Sequence, residues 1–238
     1  MHKKLCIGVA VSLCIQAAAA EESDGWNGQG ELGFAQTTGN TEVQSLSSKL
    51  ALGYKKLLWE HGLELEALRS EDETKVTAER YQLKWQTNYH LTPKIDYLFG
   101  KFRYEDDRFS GYDYQGSLLV GYGHQVINTE RTGLKLEAGV GIGRHQRLEI
   151  FSESDDQMLG FVGLNFRHKI GDHSEFTQDF RVEGGSENIY SESETGFQVS
   201  VMRNLALKLS LLIKNNSDVP LNTEKNDTLT TINLVYTF

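Results

Sequence analysis

Charged side chains recur at alternate positions of several segments, and carboxylates in one segment face ammonium groups in the next. Glu60, Glu64 and Glu66 lie on one side of a predicted strand, and Lys49 and Lys84 occupy the same side of the segments before and after it. Opposite charges on adjacent strands can pair across the strands. The nine residues that we expect on one enclosed polar face are Lys49, Glu60, Glu64, Glu66, Lys84, Arg167, Asp179, Arg181 and Glu183.

Two hypotheses explain this polar face. It can be a structural network of ion pairs that fills an enclosed space, since charges removed from water need partners. It can also line a narrow hydrated channel, in which rings of charge sort passing solutes. The polar face carries charges of both signs, which favours the first hypothesis. A channel that selects cations or anions would carry mostly charges of the opposite sign on its wall.

A third hypothesis is a hydrolase that uses His145 as a base, with Ser152, Ser154, Asp155 and Asp156 in the same segment. A nucleophile needs a base within hydrogen-bond reach and a group that stabilises the developing oxyanion. The sequence shows no such stabilising group, and the other histidines lie near predicted turns or on an apolar face. We therefore expect no enzymatic activity, no cofactor and no metal centre.

Acidic runs mark several predicted loops: Glu71-Asp72-Glu73, Glu105-Asp106-Asp107, Asp155-Asp156, and the segment from Asp218 to Glu224. Carboxylate oxygens suit hard divalent cations, which could be shared with lipopolysaccharide phosphates. The ordered ligand spacing of a calcium-binding loop is missing. Solvated loops that keep an exposed rim soluble explain the same residues.

The elements that must position these residues are strands. Apolar side chains fall on every second position in about twelve segments, which predicts strands with one apolar face. The segment 95–104 is ambiguous, because both of its faces are apolar. Long polar connections are expected at 35–44, 69–80, 105–113, 144–157, 184–194 and 215–227. The connections between them are short, with 123–133 as a long exception.

The strands of a soluble barrel also alternate apolar and polar side chains, but three features favour a barrel in a bilayer over a soluble one. The predicted strands are about ten residues long, enough to cross a bilayer when tilted. Aromatic side chains gather near strand ends, and long loops alternate with short turns, as in outer-membrane barrels. Backbone groups in hydrocarbon must all be paired, so strands can span a membrane only as a closed barrel. We predict an all-β, transmembrane, antiparallel, up-and-down barrel of twelve strands.

Residues 1–20 have the pattern of a secretory signal peptide: a basic start with Lys3 and Lys4, an apolar run, and small residues up to Ala20. Lipidation at Cys14 is an alternative that the large Leu13 before it disfavours. Residues 21–238 are then one barrel domain. Cleavage leaves 22 basic and 33 acidic residues, a net charge of −11, and removes both cysteines. This composition excludes a disulfide and a basic nucleic-acid-binding surface.

The segments TTGNTEVQS (37–45) and FRYEDDRFSGYDY (102–114), with the ending TLTTINLVYTF, resemble the family called domain of unknown function 481 (DUF481). Its members are described as salt-induced outer-membrane proteins of Gram-negative bacteria. The resemblance implies a barrel in the outer membrane and a role in adaptation of the envelope to salt or osmotic stress. It supplies no catalytic residues. The matching motif residues are Thr38, Gly39, Asn40, Thr41, Arg103, Asp106, Asp107, Arg108 and Gly111, where Thr38 replaces the usual serine.

Two further expectations concern assembly and loop structure. The ending with Ile232, Leu234, Tyr236 and Phe238 resembles the C-terminal signal that the barrel-insertion machinery reads in many bacterial outer-membrane proteins. In the second motif, Arg103 and Arg108 could pair with Glu105, Asp106, Asp107 and Asp113 to lock an outer loop, with Tyr104, Phe109 and Tyr112 at the membrane interface. Outer-membrane lipids, lipopolysaccharide and the insertion machinery are the expected partners, with no nucleic acid.

Overall fold

The computed structural model describes residues 24–37, 43–72, 75–92, 95–107, 112–147, 155–219 and 224–238. These residues form twelve strands: β1 (Gly25–Thr37), β2 (Val43–Lys56), β3 (Trp59–Asp72), β4 (Lys75–Thr92), β5 (Asp96–Asp107), β6 (Tyr112–Asn128), β7 (Thr132–Arg147), β8 (Asp155–Ile170), β9 (Ser174–Gly184), β10 (Ile189–Met202), β11 (Leu205–Asn216) and β12 (Asn226–Thr237). Within the described residues we find no helical segment with the length and hydropathy of a membrane-spanning helix.

Each strand pairs antiparallel with its neighbours in the chain, and β1 pairs with β12 to close the barrel. The predicted fold class and strand number are thereby confirmed. Closure extends to the last residue: the Gly28 N–H donates to the Phe238 carbonyl, and the Phe238 N–H donates to the Gly28 carbonyl, both at 2.8 Å. A sheet that closes in this way leaves no strand edge along these positions.

Successive side chains of each strand point alternately to the outer and the inner face of the barrel wall. Outward side chains are apolar and exposed, as for Trp26 at 76% and Val140 at 60%. The outward apolar stretch of β1 runs from Trp26 to Phe34, eight residue steps, or about 26 Å of strand at the usual rise. At the tilt of about 35–45° that is usual in outer-membrane barrels, this length spans about 20 Å along the membrane normal, which is most of their apolar band of about 25 Å. The inward side chains are mostly polar and charged.

The two ends of the barrel differ. We call the end that carries Gly25, Thr237 and the turns 57–58, 129–131, 171–173 and 203–204 the terminal rim, and the opposite end the distal rim. Several predicted loops are wrong in length. Only residues 73–74 separate β3 from β4, and only 129–131 separate β6 from β7, so 123–133 is not an exception. Strands continue past the apolar band because backbone pairing does not require apolar side chains.

The structure resolves the ambiguous segment 95–104. On β5, Leu98 faces outward and is 49% exposed, whereas Tyr97 and Phe99 face inward and are almost fully buried. Phe99 is opposite Gly121, and Tyr97 is opposite Gly123, on β6. A side chain at either glycine would overlap the ring beside it. The inward rings join an apolar cluster within the lumen, formed by Tyr97, Phe99, Leu119, Leu159 and Phe161.

Candidate functional site: the charged lumen

The strand register brings the predicted charges of β2, β3 and β4 together on the inner wall. Lys49 lies opposite Glu66, and Glu64 lies opposite Lys84. The Nζ atom of Lys49 is 3.1 Å from Glu64 and 3.4 Å from Glu66. The Nζ atom of Lys84 is 3.2 Å from Glu64 and 3.3 Å from Glu66. Each ammonium group therefore contacts both carboxylates of β3.

The same lysines also reach across the lumen to β10, on the far wall. Lys49 Nζ lies 3.3 Å from Glu194, and Lys84 Nζ donates a 3.0 Å hydrogen bond to Glu192. Lys208 on β11 joins this layer, at 2.7 Å from Glu194. These contacts connect walls that are far apart in the sheet, so they bridge the space that a pore would occupy.

A second layer of bridges lies closer to the distal rim. Lys214 on β11 donates a 2.6 Å hydrogen bond to Glu105 on β5. Arg103 on β5 donates a 2.8 Å hydrogen bond to Glu183 on β9, which also accepts from Arg181. The Arg103 guanidinium stacks 4.3 Å from the centre of the Tyr190 ring.

We call these ion pairs together the lumen network, in which Arg103, Arg181 and Glu183 form one connected set and the other members form a second. It consists of seven cations, Lys49, Arg80, Lys84, Arg103, Arg181, Lys208 and Lys214, and seven carboxylates, Glu31, Glu64, Glu66, Glu105, Glu183, Glu192 and Glu194. The two signs balance. A buried charge without a partner costs several kcal/mol, so a balanced set of pairs is the arrangement that a desolvated lumen requires.

Open space remains on the terminal side of the lumen network. A cavity of about 660 Å³ reaches the terminal rim at Lys55, Glu60 and Thr237. On the distal side, the cavity beside Arg103 and His145 measures only about 20 Å³, room for one water molecule.

Ordered side chains cap the distal side. Tyr112 donates a 2.6 Å hydrogen bond to the Asp218 carbonyl. The Asn188 side chain donates to Asn216 at 2.8 Å and accepts from the backbone N–H of Asp218 at 3.2 Å. The described lumen is therefore a vestibule open at one end.

The other predicted lumen residues lie outside the network or at its edge. Glu60 contacts His90 at 3.2 Å near the terminal rim. Asp179 faces the vestibule, where it accepts a hydrogen bond from Asn165. Arg167 is half exposed and lies 3.9 Å from Glu175, at the terminal rim.

Part of the second motif was placed wrongly. Arg103 and Glu105 do not form an outer loop: both point into the lumen from β5 and are 4% and 3% exposed. Tyr112 is 1% exposed and faces inward, so it does not lie at the membrane interface. Asp106 and Asp107 end β5 as strand residues. The ion pairs of β5 with β9 and β11 explain these differences, because they connect residues more than 75 positions apart in the chain.

Several expectations fall outside the described residues, namely those on Thr38, Gly39, Asn40, Thr41, Arg108, Gly111, Glu73, Phe109, Ser152, Ser154 and the signal segment 1–20. Among the residues that the structure does describe, no group of three or more His, Cys, Asp or Glu side chains is arranged to hold a metal ion.

Sequence reasoning missed most of the far wall of the lumen network. Glu192 and Glu194 fall in a segment predicted as a loop, and Lys208 and Lys214 lie on β11, which carries no carboxylate of its own. The alternation on β11 places both lysines on the polar face. The alternation therefore indicated that these lysines face the lumen, but nothing in the sequence indicated which carboxylates they contact.

The predicted assembly residues line the seam between β1 and β12. Leu234 lies opposite Leu32, Ile232 opposite Phe34, and both pairs face outward. The Tyr236 and Phe238 rings stack with their centres 6.3 Å apart. The Phe238 ring covers Gly28, where a side chain would overlap it.

A closed antiparallel barrel with an apolar exterior, a polar lumen and an even number of strands has the architecture of bacterial outer-membrane β-barrel proteins. Solved structures agree with this class. The COG4313 outer membrane channel from Pseudomonas putida is 12% identical with a TM-score of 0.56, over 92% of this chain and 97% of the channel. The NanC porin is 8% identical with a TM-score of 0.51, over 89% of this chain and 97% of the porin.

At the sequence level, residues 30–238 match the family model described as "Protein of unknown function, DUF481", and the chain belongs to that family. The resemblance predicted from the motifs is thus confirmed. The "Uncharacterized protein YdiY" of Escherichia coli is 27% identical over 205 residues, which cover 86% of this chain and 80% of that protein.

Proposed function

We propose that this protein is an integral barrel of the bacterial outer membrane whose lumen is held closed by the lumen network. The observation that carries the proposal is the set of ion pairs that cross the lumen, from Lys84 to Glu192, from Arg103 to Glu183 and from Lys214 to Glu105. They occupy the path that a solute would take. A role in adaptation of the envelope to salt or osmotic stress is supported by the family resemblance.

Single-channel recording in planar bilayers tests the closed lumen. The wild-type protein is expected to insert without stepwise currents. A variant that removes two bridges, Arg103→Ala with Glu183→Ala and Lys214→Ala with Glu105→Ala, loses equal numbers of cations and carboxylates and is expected to conduct.

The matched control for this recording is Arg144→Ala with Asp156→Ala. It removes an ion pair of 2.5 Å that faces outward at the distal rim, away from the lumen. This control should stay silent. Stepwise currents through the wild-type protein would contradict the closed lumen.

The alternative is a narrow passive channel for ions or small solutes. The cavity of about 660 Å³ favours it, because the terminal side of the lumen is already open. Wild-type currents with weak ion selectivity, which rise when Lys84→Ala and Glu192→Ala remove a bridge, would support this alternative.

The proposal also includes partners and the absence of catalysis. Lipids and lipopolysaccharide contact the apolar exterior, the insertion machinery acts during assembly, and divalent cations at the acidic distal rim are part of the proposal.

No hydrolase activity is proposed. In support, His145 is 5% exposed, packs against the Tyr112 ring at 5.4 Å, and lines the cavity of about 20 Å³. Hydrolysis of phospholipid or peptide that His145→Ala abolishes would contradict this.

A further inference from the structure

One arrangement of three side chains occurs on the outward face near the terminal rim and carries a histidine. His61 on β3 lies directly opposite Thr87 on β4, and the Thr87 hydroxyl is 2.9 Å from the His61 Nδ1 atom. The His61 ring stacks on Trp59, two residues earlier, with an angle of 6° between the ring planes and 6.0 Å between their centres.

The same arrangement recurs on a distant part of the wall. His168 on β8 lies directly opposite Thr132 on β7, and the Thr132 hydroxyl is 2.9 Å from the His168 Nδ1 atom. The His168 ring stacks on Phe166, again two residues earlier, at 7° and 6.4 Å. Two unrelated pairs of strands thus hold an imidazole ring in the same way.

This support leaves one nitrogen of each ring available. We take the threonine hydroxyl as the donor to Nδ1, an arrangement in which the proton of the imidazole lies on Nε2 and makes Nε2 a hydrogen-bond donor. Within the described part of the chain, neither His61 nor His168 makes a hydrogen bond through Nε2. A fixed donor without an acceptor in the protein is suited to an acceptor from outside.

The position of both rings selects the kind of acceptor. His61 lies two residues from the start of β3, and His168 lies two residues from the end of β8, or about 7 Å along the strand from the turn. Both face outward beside the interfacial aromatic side chains, which sit at the level of lipid headgroups. The strong acceptors at that level are the phosphate oxygens of phospholipids.

We propose that His61 and His168 each bind the phosphate group of a phospholipid in the leaflet that surrounds the terminal rim. The aromatic ring and the threonine orient the imidazole, and Nε2 donates to a phosphate oxygen. This inference rests on the proposed position in a bilayer. It assigns to the barrel two defined lipid sites in addition to its general apolar contact with acyl chains.

Native mass spectrometry of the folded, full-length protein in detergent, with added phosphatidylglycerol, tests the inference. Wild-type protein should retain two phospholipid molecules, and His61→Leu and His168→Leu should each lose one. Loss of a hydrogen bond to a charged group should weaken binding about tenfold at each site. Thr87→Val and Thr132→Val, which keep the side-chain shape, should weaken the same sites.

His173→Gln is the matched control, because this exposed histidine lies in a turn of the same rim without the threonine and aromatic support. A glycolipid with identical acyl chains and no phosphate should not be retained, and inorganic phosphate alone should not displace the phospholipid. Equal retention of the glycolipid, displacement by free phosphate, or unchanged retention by the leucine and valine variants would overturn the inference. Failure of folded protein to enter vesicles would instead overturn the proposed function.

Discussion

Removal of the Glu183 carboxylate should be among the most damaging single changes in the lumen. Glu183 is 1% exposed and accepts hydrogen bonds from Arg103 at 2.8 Å, from Ser117 at 3.2 Å and from Arg181. In Glu183→Ala, two buried guanidinium groups would face each other without this carboxylate. Breaking a buried ion pair by removing one partner costs about 3–5 kcal/mol, and we expect a loss of unfolding free energy in that range.

Glu175→Ala is the matched control, because Glu175 lies on the same strand and has the same side chain. Its partner Arg167 is 3.9 Å away. The Glu175 side chain is 27% exposed and the Arg167 side chain is 50% exposed. An exposed pair of this kind contributes about 0–1 kcal/mol. Urea-induced unfolding of the barrel in lipid vesicles, followed by tryptophan fluorescence and by mobility in cold SDS gels, measures both free energies.

A second substitution tests the sign of the effect. Adding Arg103→Met to Glu183→Ala removes one of the two unpaired cations, so the double variant should be more stable than Glu183→Ala alone. The reasoning would be refuted if Glu183→Ala and Glu175→Ala cost the same within about 1 kcal/mol, which is the spread expected of solvent-exposed pairs. Water would then fill the lumen network and screen its charges.

Two shorter predictions concern the seam and the distal rim. Gly28→Ala should lower the yield of folded barrel in a refolding assay, because its methyl group would overlap the Phe238 ring, whereas Gly30→Ala should fold normally, because no atom lies within 4 Å of the added carbon. At the distal rim, Arg144 donates hydrogen bonds of 2.5 and 2.7 Å to Asp156, which lower the pKa of the Asp156 carboxyl below its ordinary value. The contribution of this pair is therefore present above the unfolded pKa and lost as the pH falls through the lower folded pKa; a carboxyl ¹³C titration that gives an ordinary aspartate pKa would contradict this.

The sequence allowed some parts of the lumen to be predicted because they are local. Glu64 and Glu66 lie on a strand whose neighbours in the chain carry Lys49 and Lys84, so adjacent pairing follows from hairpin connections alone. Loop lengths could not be read in the same way. The apolar pattern stops where the hydrocarbon stops, yet the strands continue to pair beyond it.

The sequence by itself determined the twelve strands, the outward face of each strand that alternates clearly, and the closure of the barrel by its last strand, since period-two alternation and the need to pair every backbone group act residue by residue. The inward facing of Tyr97, Phe99 and Tyr112 came from the structure. Only the tertiary structure decided that Arg103 meets Glu183 and that Lys214 meets Glu105. Those contacts depend on the curvature and stagger with which the whole sheet closes, and these fix which residues face each other across the lumen. The pattern along a single strand does not indicate which residue of a distant strand lies across the lumen from it.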